Sequence, residues 1–224
     1  LERYKLLKDR LENSDLREYN DLKNNSNFWE ENYSGKGIFP PKVSGLIEED
    51  ILEERWNSLI SAIYATGQIT KRSIEMQELE GEFFFGGENL IQIEVGSLKY
   101  KTLMNAWLNH LYLSANSLFN SKTLIISKKT NSAHRSHFEI TKELLSINKE
   151  EAKTTLKDLH KLATSGRENC WPVPPESGLA YALGTNEKSK DIKYIFKKKW
   201  EGDFYFPGER ESLAMQICFG RECK

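Results

Sequence analysis

The sequence predicts an α+β fold: a mixed β-sheet flanked by helices. Three observations lead there. Residues 46–67 place apolar side chains at helical spacing. Residues 68–96 change to short Phe-, Ile- and Val-rich segments separated by Gly81, Gly86-Gly87 and Gly96. Residues 100–119 return to the helical period and lead into a lysine-bounded apolar run, Thr123-Leu124-Ile125-Ile126-Ser127.

Taken in order, Leu1, Tyr4, Leu7 and Leu11 recur at helical spacing with charges between them. A second short helix is expected over residues 15–23. Phe28-Trp29 then leads into an irregular connection, Ser34-Gly35-Lys36-Gly37-Ile38-Phe39-Pro40-Pro41, rich in helix breakers. Leu52, Trp56, Leu59 and Ile63 share one face of the next helix, with Glu48, Glu49, Asp50, Glu53 and Glu54 mostly off it. Acids in a first turn suit the helix dipole. Gly67 stops this helix. Three strands follow, at about 68–80, 82–86 and 89–95, with Gly86-Gly87-Glu88-Asn89 as a hairpin turn. Leu103, Trp107, Leu111, Ala115 and Leu118 mark a further helix, and residues 123–127 a buried strand. Residues 138–147 fit either a strand or a helix start. Asn148 with Glu151 three later forms a capping box. The helix it opens turns Ala152, Leu156, Leu159 and Ala163 inward and ends at Gly166. Trp171-Pro172-Val173-Pro174-Pro175 must be extended. Helices at about 177–183, 188–200 and 208–219 finish the chain. Residues 1–45 read as a helical and irregular lead-in, and residues 46–224 as one domain.

The chain has 224 residues, 38% hydrophobic and 11% aromatic, which is globular rather than disordered composition. A net charge of -1 excludes a globally basic nucleic-acid binder, so any DNA contact must come from local patches. Cys170, Cys218 and Cys223 are odd in number and irregularly spaced, which argues against a disulfide framework or structural zinc and suits a reducing cytoplasm. No apolar run approaches the roughly 18 residues of a membrane span. The chain starts at Leu1, already inside a helical pattern, as a piece of a longer protein would.

From residue 46 onward the order is helix, three strands, helix, strand. That αβββαβ order is the arrangement of the PD-(D/E)xK nuclease core. Four segments sharpen it. They are Ile38-Phe39-Pro40-Pro41-Lys42-Val43-Ser44-Gly45, Ala106-Trp107-Leu108-Asn109-His110-Leu111, Trp171-Pro172-Val173-Pro174-Pro175-Glu176-Ser177-Gly178-Leu179-Ala180-Tyr181, and Ile195-Phe196 through Trp200-Glu201-Gly202. In this order and spacing, over about residues 38–210, they resemble the end of the RecC family, the gamma subunit of the RecBCD-type helicase–nuclease (exodeoxyribonuclease V). The resemblance implies a nuclease-like C-terminal domain that has lost its own catalysis. It also implies RecB-like and RecD-like partner subunits, contact with double-stranded and single-stranded DNA, and a cytoplasmic setting. ATP and magnesium would be bound by the partner subunits and no cofactor by this domain.

A working PD-(D/E)xK enzyme needs an acid on the second strand and an acid-x-Lys on the third, so that carboxylates hold a divalent metal and the lysine positions the attacking water. Here the second strand offers Glu82, and the third reads Gln92-Ile93-Glu94-Val95-Gly96. Gly96 stands where the lysine belongs, and Lys99 is expected past the strand end. Glu82 and Glu94 therefore read as solvated strand acids without metal. The alternative, an active nuclease using Glu82, Glu94 and Lys99, needs a bulge that returns Lys99 to the site. Asp21-Leu22-Lys23, Glu151-Ala152-Lys153 and Asp191-Ile192-Lys193 spell the same motif on expected helices, where alternate residues diverge. His110 reads as a core or interface histidine, His134 and His137 lack further ligands, His160 sits on a charged face, and no phosphate-binding loop is present.

From Ser73 to Leu98 there are six acids and no lysine or arginine, a surface that repels phosphate. Basic residues gather elsewhere. Lys122, Lys128, Lys129 and Arg135 flank the 123–127 strand. Lys188, Lys190, Lys193, Lys197, Lys198 and Lys199 face only Asp191, with Trp200 following directly as a stacking partner. Lys128, Lys129, Lys197, Lys198, Lys199 and Trp200 are the candidate DNA contacts; the competing reading is a surface that only docks subunits. Phe83-Phe84-Phe85 must alternate across its sheet, so one ring needs a cover from this chain or a partner. Trp29 and Trp171 read as core plugs or interface anchors.

Overall fold

The computed structural model describes residues 2–18, 22, 28–33, 36–76, 79–129, 137–169, 177–178, 181–182, 191–204, 207–212 and 215–216. It divides into two compact units. One comprises Leu1–Leu98 and Asn105–Lys153, the other Lys99–Met104 and Thr154–Lys224.

The first unit is an α+β layer structure. It contains α1 (Glu2–Glu12), α2 (Phe28–Tyr33), α3 (Val43–Tyr64), β1 (Ile69–Met76), β2 (Leu79–Gly86), β3 (Asn89–Ser97), most of α4 (Tyr100–Ala115), β4 (Thr123–Lys128) and β5 (Phe138–Leu144). The five strands form one mixed sheet in sequence order. β1, β2 and β3 make an antiparallel meander, α4 crosses over, and β4 returns parallel to β3. This is the order expected, and it is compatible with a nuclease-like fold. β5 adds an antiparallel edge, so residues 138–144 resolve as strand.

Strand boundaries differ from expectation at two glycines: β3 runs through Gly96 to Ser97, and the larger difference is at Gly81. Gly81 does not separate two strands; it lies inside β2, opposite Ile74 in an eight-pair ladder from Ile69↔Gly86 to Met76↔Leu79. A glycine weakens a strand without breaking it, and a long ladder compensates. The second hairpin is as read: Gly86 pairs with Asn89, and Gly87 turns the chain at φ 60°.

The sheet buries both faces. On one, Ile69, Ile91, Val95, Ile126 and Phe138 pack with Leu52, Trp56, Leu59, Ile60 and Ile63 of α3 and with Leu6, Leu7, Leu16, Trp29 and Tyr33. On the other, Phe83, Phe85 and Leu90 pack with Leu113 and Phe119. Phe84 packs partly on the first face, so the three phenylalanines alternate and are covered by this chain's own elements. The buried residues of α4 are Ala106, His110, Leu111, Leu113, Ser114 and Ala115; Leu111 and Ala115 are buried as expected, whereas Leu103 and Trp107 are half-buried and Leu118, past the helix end, is exposed.

The lead-in shares this core. α2 places Trp29 and Tyr33 inside, where sequence periodicity was too short to reveal a helix. Arg10 of α1, only 2% exposed, is the keystone. Its guanidinium lies 4.3 Å from the Phe28 and Trp56 ring centroids and 4.8 Å from that of Trp29. It also donates to Glu53 Oε2 at 2.9 Å, and Trp29 Nε1 donates to the same oxygen at 2.8 Å. Burial lowers the Arg10 pKa and Glu53 opposes that shift. The Tyr33 hydroxyl is pushed up to about 12 by burial and by donating to Asp9.

α3 begins at Val43, so its acids do not lie in the first turn and the dipole argument does not apply. Pro40 carbonyl oxygen sits 2.4 Å from where a Cβ at Gly45 would be, which demands glycine there. α5 (Lys149–Asn169) begins in the first unit and continues in the second. Asn148 Oδ1 caps it, accepting from Glu151 N–H at 2.8 Å. It runs through Gly166 rather than ending there, and Ala163 is exposed rather than inward; Ala152 is fully buried. The second unit also holds α6 (Ile192–Glu201) and a short 3₁₀ turn, Glu209–Glu211.

Candidate functional site

β3 carries the positions where a metal-dependent nuclease would keep its acid and lysine. Its ladder with β4 is irregular there: Ile93 pairs with Ile126, but Ser97 pairs with Lys128. β3 therefore advances four residues while β4 advances two, a bulge spanning Glu94, Val95 and Gly96. Bulges re-aim side chains beside active sites. The alternative reading asked for a bulge that returns Lys99 to the site; this bulge takes in Glu94, Val95 and Gly96, and Lys99 follows two residues after it closes at Ser97.

Glu94 is not a solvated strand acid. It is 7% exposed. Burial, and donation of its hydroxyl to the Glu94 carboxylate, raise the pKa of Tyr4 on α1. A Cβ added at Gly96 would lie 3.3 Å from both Cδ2 and Cε2 of Tyr4, and 3.6 Å from Glu94 Oε1. The Tyr4 ring thus fills the space into which a side chain at 96 would project. Sequence reading missed Tyr4 because it saw only one apolar position on an amphipathic helix.

Glu82 is exposed and pairs with Lys71 across the β1–β2 ladder at 2.7 Å. Lys99 lies beyond β3. It is exposed, and its carbonyl accepts from Leu103 N–H at 3.0 Å in the first turn of α4. His110 is a core residue, 2% exposed, with Nδ1 2.8 Å from Thr123 Oγ1 and the Phe119 ring edge-on at 5.4 Å. Burial lowers its pKa against an opposing backbone contact at Leu145. His137 is exposed 3.8 Å from Glu139; His134 lies outside the described residues.

The basic candidates fall in separate units. In the first, Lys129 pairs with Glu139 at 2.9 Å and Lys122 with Glu143 at 3.2 Å, while Lys128 is half-buried at the end of β4. In the second, α6 carries Lys193, Lys197, Lys198 and Lys199, all exposed. These lysines face more than Asp191: Lys197 pairs with Glu201 at 3.7 Å and Lys198 with Asp203 at 3.4 Å. Exposed pairs of this length contribute little and exchange readily. Lys199 lies 5.8 Å from the Tyr100 ring centroid, and Trp200 stacks on Phe196 at 6.5 Å with 15° between planes. Trp200 is thus engaged within its own unit. Arg135, Trp171, Lys188, Lys190 and the three cysteines lie outside the described residues.

Residues 1–185 match the family model of the RecC C-terminal domain. The chain belongs to that family. None of the curated proteins compared with the chain matches it. RecC membership connects the chain to DNA repair by the RecBCD, exodeoxyribonuclease V, complex of several subunits and DNA. The match begins at residue 1, so the RecC domain includes the lead-in that shares its core, and it ends before α6. The segment from Ile195 to Gly202 therefore carries no part of the match. Among the described residues no helix is long and apolar enough to cross a membrane.

Proposed function

We propose that this RecC domain is a non-catalytic, DNA-contacting scaffold within a RecBCD-type helicase–nuclease. It helps divide the incoming duplex and route the separated strands in double-strand break repair and recombination. RecB-like and RecD-like subunits supply the motors and the nuclease, and bind the ATP and magnesium. Lys128, Lys129, Lys197 and Lys198 contact phosphates without reading bases.

The observation that carries this reading is the bulge in β3, with Glu94 buried against Tyr4 and Gly96 opposite its ring. Glu82 is engaged by Lys71. That donor set does not fit a two-carboxylate divalent-metal centre with a neighbouring amine. Mg²⁺ and Mn²⁺ with linear DNA test it: the chain is expected to leave the DNA intact, and Gly96→Lys is expected to stay inactive because Tyr4 blocks the new side chain. Cleavage by the unaltered chain that disappears on Glu94→Gln overturns the proposal. The internal pairing of Lys129 favours a second reading, pure subunit docking; it expects no salt-sensitive DNA binding and no loss on changing Lys197, Lys198 and Lys199 to Glu.

A further inference from the structure

α6 has two sides with different contents. At 100° per residue, Lys193, Tyr194, Lys197 and Lys198 fall within an arc of about 140°. Phe196, Lys199 and Trp200 fall outside it. The outer residues are engaged: Phe196 stacks on Trp200 and meets the Tyr181 ring edge-on at 6.0 Å, while Lys199 sits over Tyr100. The arc itself faces solvent. Tyr194 is 65% exposed, and its lysine neighbours are all exposed. Glu201 is the single acid on this arc, held 3.7 Å from Lys197. Just past the helix end, Phe204 is 95% exposed.

An aromatic ring left in water among three lysines is not core material. It is the composition of a stacking platform: cations hold a phosphate chain, and the ring offers a π-face to a base. A duplex keeps its bases stacked on one another, so such a ring reaches a base only where the strand is single.

We propose that the outward face of α6 is a contact for single-stranded DNA, in which Tyr194 stacks on a base while Lys193, Lys197 and Lys198 hold the flanking phosphates. The inference rests on the DNA-contacting reading above and adds an aromatic contact at Tyr194, where the sequence alone had offered Trp200. Phe204 offers a second ring to the next base along.

Fluorescence anisotropy on the full chain tests it, with labelled oligo(dT) and a blunt duplex of equal length as probes. Tyr194→Ala should weaken oligo(dT) binding by about tenfold, in keeping with the loss of one base–aromatic stack, and leave duplex binding within about twofold. Tyr194→Phe keeps the π-face and should retain the oligo(dT) affinity. An equal loss on both probes, or no loss on either, overturns the Tyr194 assignment and leaves the broader reading standing. If polyglutamate displaces oligo(dT) as well as unlabelled oligo(dT) does, the face serves an acidic protein surface and the inference falls. Absence of binding to either DNA overturns the DNA-contacting reading itself.

Discussion

Arg10 shows how one residue fixes the seam between the lead-in and α3. Three rings accept its cation on their faces, and Glu53 balances its charge. Removing the guanidinium leaves Glu53, whose side chain is 19% exposed, with its charge unbalanced and only the neutral donors Trp29 Nε1 at 2.8 Å and Asn57 Nδ2 at 3.4 Å among the described contacts. Arg10→Met should therefore cost about 3 kcal/mol, read as a lowered urea midpoint, the low end of what breaking a buried pair costs. Pairing it with Glu53→Leu should recover part of that loss, since the stranded carboxylate goes too. His110 makes a second prediction. Its folded pKa is depressed by burial, while the unfolded value is about 6.5. Between those two values the unfolded chain binds the extra proton, so stability rises with pH there. The contribution is complete above about pH 6.5, declines as pH falls below it, and levels off under the folded pKa. Unfolding midpoints measured from pH 7.5 to 5 should show this decline, and His110→Gln should flatten it. A slope unchanged by the substitution would contradict the assignment.

Elements were legible where their signal is periodic, and hidden where it is relational. The α3 stripe of Leu52, Trp56, Leu59 and Ile63, the Gly86-to-Asn89 turn and the apolar β4 each announce themselves within a dozen residues. The placement of β1 and β2 did not, because Gly81 looks like a break until its partner Ile74 is known. The bulge in β3 is a mismatch between two strands, so no property of residues 93–97 alone declares it. The buried Glu94 follows from Tyr4, ninety positions away, and the aromatic box around Arg10 draws its rings from two other helices, α2 and α3. Cap chemistry is the opposite case. Asn148 and Glu151 sit three apart in any reading, and the bond forms as expected at 2.8 Å. Asn148→Ala should destabilise the start of α5 by about 1 kcal/mol. Hydrogen exchange at the amides of residues 149–152 should accelerate, while the β3 and β4 amides keep their protection.

At the scale of the whole chain, a net charge of -1 means that the molecule as a body does not attract DNA. Affinity must then come from a few lysines, and its salt dependence counts them. Each phosphate neutralised on a single strand adds about 0.7 to the slope of log affinity against log salt. Lys193, Lys197 and Lys198 together give a slope of about -2, so a fourfold rise in salt should weaken oligo(dT) binding by about twentyfold. The two basic regions should not contribute equally. Lys129 is held by Glu139 at 2.9 Å and Lys128 is half-buried, so recruiting them means breaking shorter contacts. Lys197 and Lys198 have partners at 3.7 Å and 3.4 Å and are more exposed. Lys197→Ala with Lys198→Ala should therefore flatten the slope by about 1.4, while Lys128→Ala with Lys129→Ala should change it by less than half that amount. Equal flattening by both pairs would mean that the two basic regions contribute alike, and flattening by the Lys128 pair alone would assign binding to the first unit and overturn the α6 contact.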